Sequence, residues 1–273
     1  MLNEPSKLPN VSPIRYAQWA LDNLATEISP HLQLLRQSEN LTPEELFSAH
    51  SALMNVYGTQ AQIHNLAELF GDDDRVSSVK YCSYNAQQFI QTIKTHVERA
   101  IDCNNIYINS DISSEIKTVI LDARRTSLIL YNLISNAIIH SKPKEKHITI
   151  KLSMQDDNLV ILVTDNGNGI PMTKRKNLFS AFENGILPAS IAETGGGYNL
   201  SGLGLSVAQK AARDMKGELR YVPSRDLTKF EFYIPQTGSD RINVSETIMF
   251  IPDIELINRC FATVKLLSVA EKV

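Results

Sequence analysis

The chain has 273 residues, 43% of them hydrophobic and 21% charged, with a formal net charge of −3. That length holds one good-sized domain and a smaller module, and the charge balance, without a basic stripe interleaved with aromatics, gives no reason to expect nucleic-acid binding. No apolar run is long enough to span a membrane, the first residues lack a secretory-type apolar core, and Cys82, Cys103 and Cys260 show no Cys-x-x-Cys spacing; the expectation is a cytoplasmic protein with free thiols.

A tail of residues 1–12 precedes a helical unit over 13–75. Ser12-Pro13 reads as a helix start, with Pro at the first helical position. Leu21, Leu24, Ile28, Leu32 and Leu35 follow at three- and four-residue steps and form one apolar stripe. Thr42-Pro43-Glu44-Glu45 is a capping box that opens a second helix. There Leu46, Ala49, Leu53, Val56, Gln60, Ile63, Ala67 and Phe70 keep the alternation of a coiled-coil seam. Two such helices with a short connection make an antiparallel hairpin. Its stripe is too wide for one partner helix to cover, so a homodimeric four-helix bundle is the expected completion.

Gly71-Asp-Asp-Asp74 reads as a hinge into a second unit, residues 76–236. A helix is expected over about 84–102, with Phe89, Ile93, Val97 and Ile101 on one face, then short strands near 105–109 and 118–121. The next helix carries Asn132 and Asn136. His147–Met154 and Leu159–Thr164 read as strands joined by a hairpin turn at Gln155-Asp-Asp-Asn. A helix over about 202–215, closed by Gly217, and two last strands near 218–222 and 229–234 complete a mixed sheet with helices on one face. The fold class is therefore α+β, a two-helix hairpin followed by an α/β sandwich. In the extension 237–273, Ile254, Ile257, Phe261, Val264 and Leu267 suggest an amphipathic helix, expected to dock onto the body of the chain, with a partner-binding element as the alternative.

Three segments in this second unit together describe a pocket for Mg-ATP. Asn132 and Asn136, four residues apart on a helix, present both amides on one face; Asn136 is the better magnesium ligand, magnesium preferring hard oxygen donors. Asp165 ends an apolar strand and can accept the adenine amine, while Gly167 and Gly169 let the backbone approach the base. Gly202-Leu203-Gly204-Leu205 opens a helix whose N-terminal amides and dipole favour phosphate. Phe179 and Phe182 precede a polar stretch between the glycine segments that reads as a lid.

These segments resemble the N, G1, F and G2 boxes of the gyrase–chaperone–histidine-kinase–mismatch-repair ATPase superfamily, and are most similar to its bacterial sensor histidine kinase branch. The resemblance implies an ATP-binding catalytic domain of the histidine-kinase type attached to a dimerisation and phosphotransfer hairpin. By it, Asn136 holds magnesium, Asp165 the adenine, and Gly202 and Gly204 the triphosphate, with His140, Gly167, Gly169, Ile170, Phe179, Phe182, Leu203 and Leu205 lining the pocket. Asn132 stands where hydrolytic branches carry a water-activating Glu, which favours phosphotransfer. Ile139 stands where the family often has a lysine, so Lys142 or the Lys174-Arg175-Lys176 cluster is expected to substitute.

A phosphoacceptor should be an exposed imidazole on the first hairpin helix. His31 lies there, and Pro30-His31-Leu32 resembles the Pro-His-Phe motif of one kinase subfamily. Pro30 should kink the helix, and Glu27, one turn away, can orient the ring. His50 and His64 read as ordinary bundle residues. The expected function is a histidine kinase that phosphorylates His31 from ATP and passes the group to an aspartate of a response-regulator receiver domain; an ATP-binding adaptor that does not autophosphorylate is the alternative.

Overall fold

The computed structural model describes residues 13–36, 40–70, 78–101, 105–141, 144–180, 203–237, 246–261 and 264. Helices α1 (Pro13–Arg36) and α2 (Pro43–Phe70) pack antiparallel. Polar ties run across the pair: Gln60 Nε2 donates to Asp22 at 3.0 Å and Gln33 Nε2 to the Tyr57 hydroxyl at 3.1 Å. The capping box forms as expected, Thr42 N donating to Glu45 Oε2 at 2.9 Å and Glu45 N to Thr42 Oγ1 at 3.3 Å. Helix α1 runs on through Pro30. Its expected stripe is not the face that meets α2: Ala25 and Ser29 are buried, whereas Leu24, Ile28 and Leu35 are exposed. Small side chains let two helices approach closely, which leaves the large apolar ones pointing outward. On α2 the seam is partly realised, with Ala49, Leu53 and Ala67 buried and Leu46 and Phe70 at its ends exposed.

The body holds a five-stranded sheet of β2 (Ile106–Ile112), β4 (Lys146–Gln155), β5 (Asn158–Asp165), β6 (Glu218–Val222) and β7 (Thr228–Pro235), ordered β2-β4-β5-β7-β6. Only β2 and β4 pair in parallel. The β4–β5 turn uses Asp156 and Asp157 at φ 47° and 61°, the left-handed pair that a tight hairpin turn requires. Helices α3 (Ala86–Ile101), α4 (Ala123–His140) and α6 (Gly204–Asp214) pack on this sheet, and a single turn, α5 (Met172–Arg175), lies after β5. Phe89, Ile93, Val97 and Ile101 of α3 are all buried, as their spacing predicts, together with Ile129, Ile134, Ile148, Ile161 and Phe232. Burying each such side chain contributes about 1.5–3 kcal/mol.

Gly217 follows α6, but the left-handed residue there is Lys216 at φ 57°. Gly217 is needed for another reason: a Cβ on it would sit 2.2 Å from the Tyr233 carbonyl oxygen. A second, three-stranded sheet joins β1 (Cys82–Asn85), antiparallel to β3 (Thr118–Leu121) and parallel to β8 (Thr247–Ile248). The sequence predicts neither β1 nor β8. Both are too short for an alternating pattern to register. Helix α7 (Ile254–Cys260) docks with Ile257, Phe261 and Val264 buried as expected, but Ile254 is exposed, Leu256 is buried in its stead, and Leu267 lies outside the described residues. Cys82 and Cys260 are free thiols. Among the described residues, no helix is long and apolar enough to cross a membrane.

Candidate nucleotide site

Helix α4 is fixed at both ends, which sets the position of everything it carries. The Asp122 carboxylate caps its start, accepting from Arg125 N at 3.0 Å and pairing with Arg125 Nη1 at 2.8 Å, while Lys80 N donates to it at 2.9 Å. At its end the Lys146 ammonium donates to the carbonyls of Ile138 at 2.6 Å and Ser141 at 2.8 Å, a cation where the helix dipole is negative. Asn132 and Asn136 share the face of α4 that lines a cavity of about 60 Å³. Asn132 Nδ2 donates to Leu128 O at 2.8 Å. A Cβ on Gly204 would lie 2.5 Å from Asn132 Oδ1, so a side chain there would displace this amide. The opposite wall belongs to α2, through His64, Asn65 and Glu68, and to α7, through Arg259 and Cys260.

Asp165 lies at the other end of α4. It is 6% exposed and accepts from Gly167 N at 2.8 Å. Thr228, opposite it across the β5–β7 ladder, hydrogen-bonds the same carboxyl. Burial pushes its pKa above the ordinary aspartate value, against the opposing pull of Gly167, Thr228 and Lys146. A side chain at 167 would collide with this carboxylate, its Cβ falling 2.6 Å from Asp165 Oδ1 and 3.7 Å from Ser141 Cα, next to the end of α4. Gly169 takes φ 67°, which favours glycine. From Ser141 back to Asn132 is roughly 13 Å along the helix, a span an extended nucleotide can cover.

The other expected residues distribute as follows. His140 is exposed at the end of α4. Ile170 is half-buried, its amide donating to Tyr221 Oη at 3.0 Å. Phe179 meets Phe230 edge-on at 6.3 Å and packs against the core, as does Leu205; Leu203 is buried. Phe182 and Gly202 lie outside the described residues, as does Lys142. Arg175, in the expected substitute cluster, donates Nε to Ile170 O at 2.8 Å and lies over the Tyr221 ring.

His31 is exposed, and no residue of α1 is on the cavity wall. His64 is there instead, held in a polar network that sequence reasoning missed. Its Nε2 lies 2.9 Å and 3.1 Å from the two Asp22 oxygens, and its Nδ1 lies 2.9 Å from Gln18 Nε2. The consistent assignment has Nε2–H donating to Asp22 and Nδ1 accepting from Gln18. Burial and then the Arg259 cation lower its pKa, outweighing Asp22, so the ring is neutral. Thr228 was also missed, although the β5–β7 register would have found it. The Glu68–Arg124 ion pair and the placing of Arg259 depend on which helices meet and carry no signal in the sequence.

Residues 121–238 match the family described as histidine kinase-, DNA gyrase B-, and HSP90-like ATPase. The chain is 28% identical over 222 residues to hybrid signal transduction histidine kinase K of Dictyostelium discoideum, covering 76% of this chain and 18% of that protein. It is 26% identical over 160 residues to sensor histidine kinase MtrB of Mycolicibacterium paratuberculosis (59% and 27% covered). To adaptive-response sensory kinase SasA of Prochlorococcus marinus strain MIT 9215 it is 33% identical over 135 residues (48% and 34% covered). The chain thus spans a third or less of the length of most of these relatives. Among solved structures, histidine kinase AdeS of Acinetobacter baumannii superposes with a TM-score of 0.55 at 19% identity, over 79% of this chain and 97% of that one. Full-length ShkA in complex with AMPPNP gives a TM-score of 0.57 at 18% identity, over 82% and 47%. At those identities the likeness is one of fold.

Proposed function

We propose, for a chain that belongs to the sensor histidine kinase family through the ATPase domain at residues 121–238, that it is an ATP-dependent protein-histidine kinase. One observation carries the reading: Asn136, Asn132 and the start of α6 at Gly204 share one cavity wall, and Asp165, outside that wall, lies by Gly167 near the C-terminal end of α4. The donor set fits. Asp165 accepts the adenine amine, Asn136 offers a hard amide oxygen to magnesium alongside phosphate oxygens and waters, and the start of α6 at Gly204 receives phosphate.

Mg-ATP supplies an electrophilic γ-phosphorus. His31 attacks it through a ring nitrogen: the N–P bond forms, the bond from γ-phosphorus to the bridging oxygen breaks, ADP leaves and the ring proton passes to solvent. The phosphoryl group then moves to an aspartate of a response-regulator receiver domain. Asn132 itself offers an amide in place of a water-activating carboxylate, and Glu68 on the opposite wall is tied to Arg124, which favours keeping ATP for a protein nucleophile. The hairpin has to move off the amide face, or a second copy has to present its own, for His31 to arrive. The homodimer and the cytoplasm, where ATP is found, belong to the same reading. The adaptor alternative is favoured by one observation: neither His31 nor any other residue of α1 lines the cavity.

The test is incubation of the chain with γ-labelled ATP and magnesium beside His31→Gln. Acid-labile, base-stable label that disappears in the variant is expected. Label retained in the variant would move the acceptor elsewhere, with His64 next to examine. Bound ATP without any label would make the adaptor the better description.

A further inference from the structure

The charged side chains around the cavity between α2, α4 and α7 do not cancel. Glu68 is consumed by Arg124, an ion pair that ties α2 to α4. His64 is neutral, and Asn65, Asn132 and Asn136 carry no charge. Arg259 remains. Its side chain is 12% exposed, and its ion pair is with Glu255, one turn back on α7, at 3.6 Å. That carboxylate is itself 88% exposed, so the contact contributes little. A guanidinium largely withdrawn from water is costly unless an anion meets it.

Its helix holds it there. Asp253 caps α7 by accepting from Leu256 N at 3.0 Å, Leu256, Ile257 and Phe261 are buried, and the Phe261 ring packs edge-on to Tyr131 of α4 at 6.0 Å. Helix α7 packs on α3 and α4 as well as on α2, and this sets Arg259 on the cavity wall beside Asn132 and Asn136. By contrast, none of Lys174, Arg175 and Lys176 is on the wall shared by Asn132 and Asn136.

We infer that Arg259 is the cation of this site that contacts the phosphate end of the nucleotide, which makes the C-terminal segment with α7 part of the binding site. The inference rests on the nucleotide reading above. A guanidinium forms paired, charge-assisted hydrogen bonds with phosphate oxygens, and a terminal phosphate present in ATP and absent from ADP is the natural partner.

The experiment is calorimetric titration of the full chain with ATP and with ADP, both with magnesium, for the parent, Arg259→Met and Arg259→Lys. Arg259→Met is expected to weaken ATP about tenfold and ADP much less, so that the ATP-to-ADP affinity ratio falls; Arg259→Lys should restore part of it. A merely structural role would lower melting temperature and leave that ratio in place, and an unchanged ratio in a folded Arg259→Met overturns the inference. A parent that binds ADP and ATP to no measurable extent would instead remove the nucleotide reading itself. Should Arg259→Met not fold, arginine-specific modification of the parent by phenylglyoxal decides: ATP is expected to shield Arg259 more than ADP does, and equal reactivity overturns the inference.

Discussion

Asp165 shows how much one buried carboxylate can decide. It is enclosed by Gly167 and Thr228 near the end of α4; desolvation disfavours its ionised form, and its pKa lies above the ordinary value of about 3.9. For a carboxyl raised in this way, the folded chain holds the proton more tightly than the unfolded chain. Its contribution to stability is therefore present at low pH and lost as pH rises through the raised value. The proposed adenine recognition would run the other way, because the ionised carboxylate is the better acceptor for the amine. ATP affinity is expected to increase with pH across the window above that ordinary value, and Asp165→Ala to abolish binding. Titration over a pH series checks both; a flat profile in the parent would remove Asp165 from the site. The motif Asp165-Asn-Gly167-Asn-Gly169 is legible because its glycines are demanded by local geometry. Thr228 is not legible, since nothing within its own strand distinguishes it until β5 and β7 are in register.

At the scale of the element, the hairpin depends on a polar network as much as on its apolar seam. Gln18 and Asp22 of α1 hold the two nitrogens of His64 on α2, and Gln60 shares Asp22. His64→Ala is expected to cost about 1 kcal/mol, the usual net worth of such bonds, read from urea unfolding. The ring pKa is lowered, so proton uptake penalises the folded form: stability is expected to fall as pH drops through the ordinary histidine value of about 6.5. Hydrogen exchange of α2 amides near pH 5.5–7, in roughly that range, follows it, and His64→Gln should flatten the dependence. The apolar spacing located α2 and part of its seam. It could not foresee that α1 would present Ala25 and Ser29 to α2, because choosing between a small-residue face and a large-residue face requires knowing what else covers the helix.

For the molecule as a whole, the exposed large side chains on α1 matter most. Leu24 is 50% exposed, Ile28 41% and Leu35 48%, and their spacing puts them on one face of the helix. A cluster of that size in water points to a covering partner, and a second hairpin of the same chain fits the proposed bundle. Sedimentation is expected to give a dimer, and the double substitution Leu24→Glu, Ile28→Glu a monomer. A monomeric parent would rule out the bundle.

Local chemistry in the sequence determined the capping box at Thr42, the β4–β5 turn, the apolar faces of α3 and α7, and the amide and glycine pattern around Asn132, Asn136 and Asp165. Each is written in neighbours a few residues apart, where periodicity and turn chemistry act. Tertiary structure alone decided that β1 joins β3 and β8, that His64 rather than His31 faces the amide pair, and that Arg259 from the far end of the chain enters the same cavity. Those placements follow from helix docking and strand register, in which residues distant in sequence exclude the same water, and no local pattern encodes that.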